Sequence, residues 1–365
     1  MEKRINVTRS SMPPFEEYVE KIKVLWENRW LSNRGVLHKE FEELLKERMG
    51  VPFPFLFANG HVALEVAIDA LRLPKGGEVI TTPYTHCSTT HSIVRNDLIP
   101  VFCDVNDVDY TIDVNQIEKL ITEKTVAICA VHVYGNLCDV DAIDAIAKKH
   151  HLKVIYDAAH AFGVKLNGVD TAAFGDVSMF SCHATKVFHT IEGGIVTFKD
   201  EAIYNKINSL VNFGFAGPEE VQFISTNARM NEYEAAMGIC NLKHFDDEVA
   251  KRKKAADQYT ARLSGIKGIK LMTPQEGVTP NYAYYPVFFE GYKYSRDEIQ
   301  AKLAEHNIFA RKYFFPIITQ LKCYKSFKDT DMPVSQHASH IVLTLPMYAD
   351  LTVEDVNNIC DIILK

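Results

Sequence analysis

Between about residues 55 and 200, short runs of apolar and β-branched residues alternate with stretches whose apolar positions recur every three or four residues. The first pattern predicts buried strands at Glu78–Thr82, Pro100–Asp104, Thr125–His132, Val154–Asp157, Val177–Cys182 and Gly194–Phe198. The second predicts helices at His61–Leu71, Cys87–Asn96, Val114–Ile121 and Asp141–His150. In the last of these Ile143, Ile146 and Ala147 keep helical spacing, and Lys148, Lys149 and His150 sit where cations suit the helix dipole. Strand–helix alternation of this kind predicts an α/β fold with a mostly parallel sheet between helices. Ligands of such sheets bind beyond the carboxyl ends of the strands. From Arg229 to about Leu263 the pattern becomes one long helical stretch, charged from Asp246 to Lys254. A smaller α+β unit follows, with a strand near Tyr284–Phe289, a helix at Ser295–His306, a Pro- and Tyr-bearing loop at Arg311–Ile318 and a closing helix at Val353–Leu364. The expected division is a large domain over 1–245 and a small C-terminal domain over 246–365.

Composition adds constraints. The chain has 365 residues, 47% hydrophobic and 24% charged, the profile of a globular protein and not of a disordered, fibrous or coiled-coil chain. Lys plus Arg total 40 against 47 Asp plus Glu, a net charge of -7, so the global footprint of a nucleic-acid binder is missing. Any bound phosphate must therefore be held by a local site. No apolar run approaches the ~18 residues of a spanning helix, and the N-terminus has no signal-peptide core, so no membrane association is expected. The eight cysteines are scattered without a CxxC, which fits a reducing cytoplasm and neither a disulfide framework nor a zinc site. Fourteen histidines raise the question of a metal, but no HxxxH or HxH spacing lies near a carboxylate, and no metal is expected.

Three segments can carry chemistry. Val154-Ile155-Tyr156-Asp157-Ala158-Ala159-His160 places Asp157 just after an apolar strand, flanked by small residues; a turn or cap aspartate is the equal alternative. Ser181-Cys182-His183-Ala184-Thr185-Lys186 follows another strand and precedes Glu192-Gly193-Gly194 and a further one. A lysine between buried strands must be paired or deprotonated, although an exposed loop lysine is the commoner case. Ala58-Asn59-Gly60-His61 opens a helix after an apolar run, and amides unobstructed at Gly60 form an anion cradle. Alone the last signal is weak. Together the three are what pyridoxal phosphate needs: a lysine for the Schiff base, a carboxylate for the pyridine nitrogen and a helix terminus for the phosphate.

The stretches WLSNRG, FANGHVALEVAI, ITTPYTHCSTTHSI, PVFCDV, VHVYGNLCDV, YDAAHAFG, SCHATKVFHTIEGG and NARMNEYEAA, in this order, resemble the DegT/StrS nucleotide-sugar aminotransferases along nearly the whole chain. The resemblance implies the fold-type-I architecture of pyridoxal-phosphate enzymes, with a seven-stranded sheet. It also implies that Lys186 is the Schiff-base lysine and proton shuttle, that Asp157 pairs with the pyridine nitrogen, and that His160 contacts the phenolic oxygen. Ser181 and the amides of Gly60 and His61 would bind the phosphate. Asn227 would reach it from a neighbouring subunit, implying a homodimer with shared sites, and His86 would stack on the ring. Position 61 is often Thr in relatives, position 86 Phe or Trp, and position 225 a small residue such as Gly where this chain has Ser225. Relatives that dehydrate sugars carry His in place of the lysine, so Lys186 argues against that branch.

By family habit L-glutamate donates the amine, leaving pyridoxamine phosphate, which then reacts with a nucleotide-linked keto sugar. Trp30 and Arg34 match a region near the sugar diphosphate, and Lys312 and Tyr313 belong to a loop that approaches the nucleotide sugar. Phe314 and Phe315 in that loop read equally well as domain packing. His183 is read either as pointing to the sugar or as a structural histidine. The HATK run and the Glu-Gly-Gly after it resemble the branch acting at C-4. The expected substrate is therefore dTDP-4-keto-6-deoxy-D-glucose, converted to dTDP-4-amino-4,6-dideoxy-D-glucose for bacterial surface polysaccharide such as lipopolysaccharide O-antigen. A C-3 aminotransferase, or a non-catalytic regulatory homologue, is the alternative.

Overall fold

A computed structural model describes residues 4–324 and 331–365. The central sheet contains β1 (Phe53–Phe57), β2 (Glu78–Thr81), β3 (Ile99–Phe102), β4 (Thr125–Val131), β5 (Lys153–Asp157), β6 (Val177–Ser181) and β7 (Gly194–Phe198), in the order β1-β7-β6-β5-β4-β2-β3. The strands from β6 through β3 run parallel, and β7 lies antiparallel between β6 and β1. The sequence pattern located β2 through β7, but not β1. That strand carries Pro54, which a sheet tolerates at its edge, and an edge is where β1 lies.

The helices on either side are α1 (Phe15–Asn28), α2 (Val36–Met49), α3 (Gly60–Ala70), α4 (Cys87–Arg95), α5 (Val140–His150) and α6 (Glu232–Leu263). The α3 helix starts because Asn59 accepts the Val62 amide at 2.9 Å, and α5 because Asp139 accepts that of Ala142. Gly194 lets α3 come close, since a Cβ there would lie 2.8 Å from the Ala63 Cβ and from the Asn59 carbonyl oxygen. On the other face, Phe162 stacks on Phe188 at 4.2 Å, with Phe245 of α6 edge-on at 5.2 Å.

The α6 helix runs unbroken through residue 245. Its first half, including Ala235, Ala236 and Ile239, packs into the core of the large sheet. Its second half, including Ala256, Tyr259 and Leu263, enters a separate core built on β8 (Ile269–Leu271), β9 (Tyr285–Phe289) and β10 (Val342–Leu345). The helices α7 (Arg296–Glu305) and α8 (Val353–Leu364) complete that core. The N-terminus joins it too: Ile5–Asn6 pairs with Ile308–Phe309, and Ile5 is buried there. Among the described residues no helix is long and apolar enough to cross a membrane.

His132, at the end of β4, is fully buried, stacks on Tyr156 at 4.6 Å and accepts the Cys138 amide through Nδ1. Burial pushes its pKa down to about 3. The unfolded chain therefore takes up this proton first as pH falls. The stability the site contributes is complete above about pH 6.5 and is lost between there and pH 3, at about 1.4 kcal/mol per pH unit. His132→Phe is expected to be less stable at pH 7, because the Cys138 amide loses its acceptor, yet to show a shallower fall below pH 6. Urea titrations at pH 7, 6, 5 and 4 check this, and equal slopes for the two proteins would refute it.

Candidate active site

Strand register brings the candidate residues together. Phe57 of β1 faces Gly194 of β7, and Gly194 faces Ser181 of β6, so the carboxyl ends of β1 and β6 lie level. Asp157, the last residue of β5, pairs with Met179 of β6 on the same edge.

Asp157 is buried, at 4% exposure. Its Oδ2 accepts the Thr89 hydroxyl at 2.7 Å and its Oδ1 accepts the Ala159 amide at 3.1 Å. The turn-capping reading of this residue thus describes one oxygen only. A buried carboxylate with neutral donors and, among the described residues, no ion pair retains acceptor capacity for a cationic N–H.

At the start of α3, Asn59 takes the amide of Val62 with its side chain and that of Ala63 with its carbonyl. The amides of Gly60 and His61 are the remaining donors of the first turn. A Cβ on Gly60 would stand 2.9 Å from the Ser181 Cβ and 3.1 Å from its Oγ, so only glycine allows the cradle and the hydroxyl to meet. The His61 ring turns aside to Ser88 Oγ at 2.8 Å, which leaves this residue its backbone for an anion.

Lys186 closes a turn, its amide bonded to the His183 carbonyl, and its Nζ lies 3.4 Å from the Tyr284 hydroxyl. His160 accepts the Tyr134 amide through Nδ1 at 3.1 Å, so its neutral form carries the proton on Nε2. Burial, with the nearby Lys186 and His86, holds its pKa well below the ordinary value. A neutral Nε2–H is the donor a phenolate oxygen needs. His86 caps α4, accepting the Ser88 amide, and burial lowers its pKa against the opposing pull of Asp157. Donor cradle, spare carboxylate, lysine and neutral imidazole together fit pyridoxal phosphate.

Beside them a cleft of about 390 Å³ is lined by His86, Cys87, Arg311, Lys312, Tyr313 and Phe315, among others. The Lys312 ammonium is paired with Asp297 at 2.6 Å, and the Tyr313 ring meets Tyr284 edge-on at 5.8 Å. Phe314 is core, parallel to the His160 ring at 6.0 Å, whereas Phe315 is 41% exposed.

Trp30, Arg34 and Asn227 do not line this cleft, while His183 belongs to the Lys186 turn. The Arg34 guanidinium is bonded to Glu42 at 2.6 Å, to Tyr204 at 3.1 Å and to Asn208, and it lines a separate pocket with Asn33, Asn212 and Arg229. His183 bonds Thr185 Oγ1 at 2.8 Å and sits 3.5 Å from Glu192, with its side chain half-exposed. Trp30 is 54% exposed. Asn227 is exposed and accepts from Arg229 at 3.0 Å, and the same guanidinium reaches Asn33, Asn212 and the Phe213 ring. The sequence reading passed over Thr89, Asn281 and Tyr284. Tyr284 stands 98 residues from Lys186, and no local pattern signals a contact of that range.

The sheet order and the clustered residues define a fold-type-I enzyme that uses pyridoxal phosphate as its cofactor. The model of the DegT/DnrJ/EryC1/StrS aminotransferase family matches residues 15–364, and the chain belongs to that family. It is 41% identical over 354 residues to a dTDP-4-amino-4,6-dideoxy-D-glucose transaminase of Shigella dysenteriae, covering 96% of each chain. It is 38% identical to a transaminase of the same name from Escherichia coli, covering 100% of this chain and 99% of that one. A crystal structure of DesI in the presence of its TDP-sugar product superposes with a TM-score of 0.94 at 28% identity, covering 100% of this chain and 93% of the other.

Gly60→Ala is expected to force α3 and Ser181 apart and weaken cofactor binding. Loss of one hydrogen bond to a charged group, about 1.5–3 kcal/mol, corresponds to roughly tenfold to a hundredfold in affinity. Titration of the apoprotein with pyridoxal phosphate, read by visible absorbance, measures it; unaltered affinity would place the phosphate elsewhere.

Proposed function

We propose that this aminotransferase moves an amino group from L-glutamate to C-4 of dTDP-4-keto-6-deoxy-D-glucose, giving dTDP-4-amino-4,6-dideoxy-D-glucose for a bacterial surface polysaccharide such as O-antigen. The observation that carries the substrate is full-length similarity to two transaminases bearing that product's name. Lys186 and Asp157 beside one anion cradle support catalysis over a purely regulatory role.

Pyridoxal phosphate, when bound, supplies the electron sink and the carbon that carries the amine between the two substrates. The chain's own groups do the rest. Lys186 anchors the cofactor and its Nζ moves the proton between the substrate carbon and the cofactor carbon. Asp157, shielded from water, keeps the pyridine nitrogen protonated. The His160 Nε2–H orients the phenolic oxygen, and the Gly60 and His61 amides with the Ser181 hydroxyl hold the phosphate. His86 covers one ring face, and Tyr313 and Lys312 border the cleft for the sugar nucleotide.

The active form in this reading is a homodimer in the cytoplasm. Asn227 is exposed, as are the apolar residues Phe213, Phe215, Val221 and Ile224, which a second copy would cover. From there it would reach the partner's phosphate.

Adding L-glutamate to the yellow holoenzyme is expected to bleach its visible band. The 4-keto sugar nucleotide should restore the band and its 3-keto isomer should not; recovery with the 3-keto compound alone would overturn the C-4 assignment. Lys186→Ala should fold and lack activity. For the shared site, mixing inactive Lys186→Ala with inactive Asn227→Ala should restore about a quarter of wild-type activity. Half of random dimers are mixed, and each contains one intact site. No recovery after verified subunit exchange would assign Asn227 to its own chain.

A further inference from the structure

Where the chain crosses into the small domain, Asn281-Tyr282-Ala283-Tyr284 is riveted to the loop that follows Asp157. The buried Asn281 side chain donates to the His160 carbonyl at 2.8 Å and to the Phe162 carbonyl at 3.0 Å, and accepts the Ala283 amide at 3.0 Å. This clamp holds Tyr284 over the reacting groups. Its hydroxyl lies 3.4 Å from Lys186 Nζ, its ring meets the His160 ring edge-on at 4.8 Å, and Tyr313 and Tyr134 flank it at 5.8 and 6.2 Å. Among the described residues the hydroxyl's hydrogen-bond partner is that amine.

The chemistry of the pair is specific. An amine that gives and takes a proton in each half-reaction alternates between a donor-only ammonium and a neutral form with a lone pair. A carboxylate neighbour would hold it as the ammonium, and a guanidinium would repel that form. A hydroxyl both donates and accepts, so one Tyr284–Lys186 bond survives either state without moving the nitrogen. We propose that Tyr284 is a positioning residue for Lys186, keeping Nζ aimed at the reacting carbon throughout proton transfer. The residue immediately precedes β9, so the small domain takes part in the site through it. The inference rests on Lys186 being the reacting amine.

The test is Tyr284→Phe in the full-length protein, with Lys186→Ala alongside. In the variant loaded with pyridoxal phosphate, kcat should fall tenfold or more while KM for L-glutamate and for the sugar nucleotide stays within threefold. A second readout needs no turnover. In the apoprotein, the rate at which acetic anhydride acetylates Lys186, measured by mass spectrometry against surface lysines, should change at least threefold, with the melting temperature preserved. Unchanged kcat and unchanged acetylation would overturn the role of Tyr284. A fall in kcat with unchanged acetylation would overturn it too, and KM values raised more than threefold would make Tyr284 a substrate contact instead. Retained activity in Lys186→Ala would instead remove the assignment of the lysine itself.

Discussion

The site depends on one constraint of sheet geometry. With β7 antiparallel between β6 and β1, the carboxyl ends of the two flanking strands finish at the same level, and the turn after β1 delivers a helix N-terminus against Ser181. Asp157 ends β5 along the same edge. Three residues far apart in the chain thereby share one rim, and glycine at 60 and 194 removes the side-chain bulk that would keep α3 away. The anion cradle and the carboxylate are both consequences of register. Slipping a strand by one residue would turn its side chains to the opposite face and dismantle both.

A second feature is how the site treats charge. The buried imidazoles of His132 and His160 are held neutral by desolvation, and each accepts a backbone amide through Nδ1. Fixing the tautomer in this way makes His160 a donor on its Nε2 side and keeps it from competing with Lys186 as a cation. Asp157 accepts its hydrogen bonds from a hydroxyl and an amide, with His86 within electrostatic reach. At the cleft, the Lys312 ammonium is paired with Asp297.

The two cores are mechanically joined. The α6 helix belongs to both, the N-terminal strand pairs with Ile308–Phe309, and the N-terminal segment then passes Ser10 to the Ala184 carbonyl at 2.7 Å, two residues before Lys186. Asn281 ties the crossover to the Asp157 loop from the other side. The lysine turn is thus braced between domains and does not hang on the large one alone.

Much of this was legible in the sequence, because buried parallel strands read as continuous apolar runs, and Asp157, Ser181 and Gly60 each sit where such a run ends. Side-chain chemistry with a local signature, the strand-flanked lysine and the Asn-Gly helix start, was legible for the same reason. The edge strand with Pro54, the direction of β7 and the division of α6 between two cores were not, since pairing direction and helix sharing are decided by distant partners. The same holds for side chains. Arg34 reads as free positive charge until Glu42, Tyr204 and Asn208 close around it, and Tyr284 reads as the start of a strand until folding sets it against Lys186. The sequence by itself determined which elements form and which reactive residues end them, because hydrophobic periodicity and caps act over a few residues. Only the tertiary structure decided which of those residues meet, because that depends on register and packing between segments as far apart as residues 186 and 284.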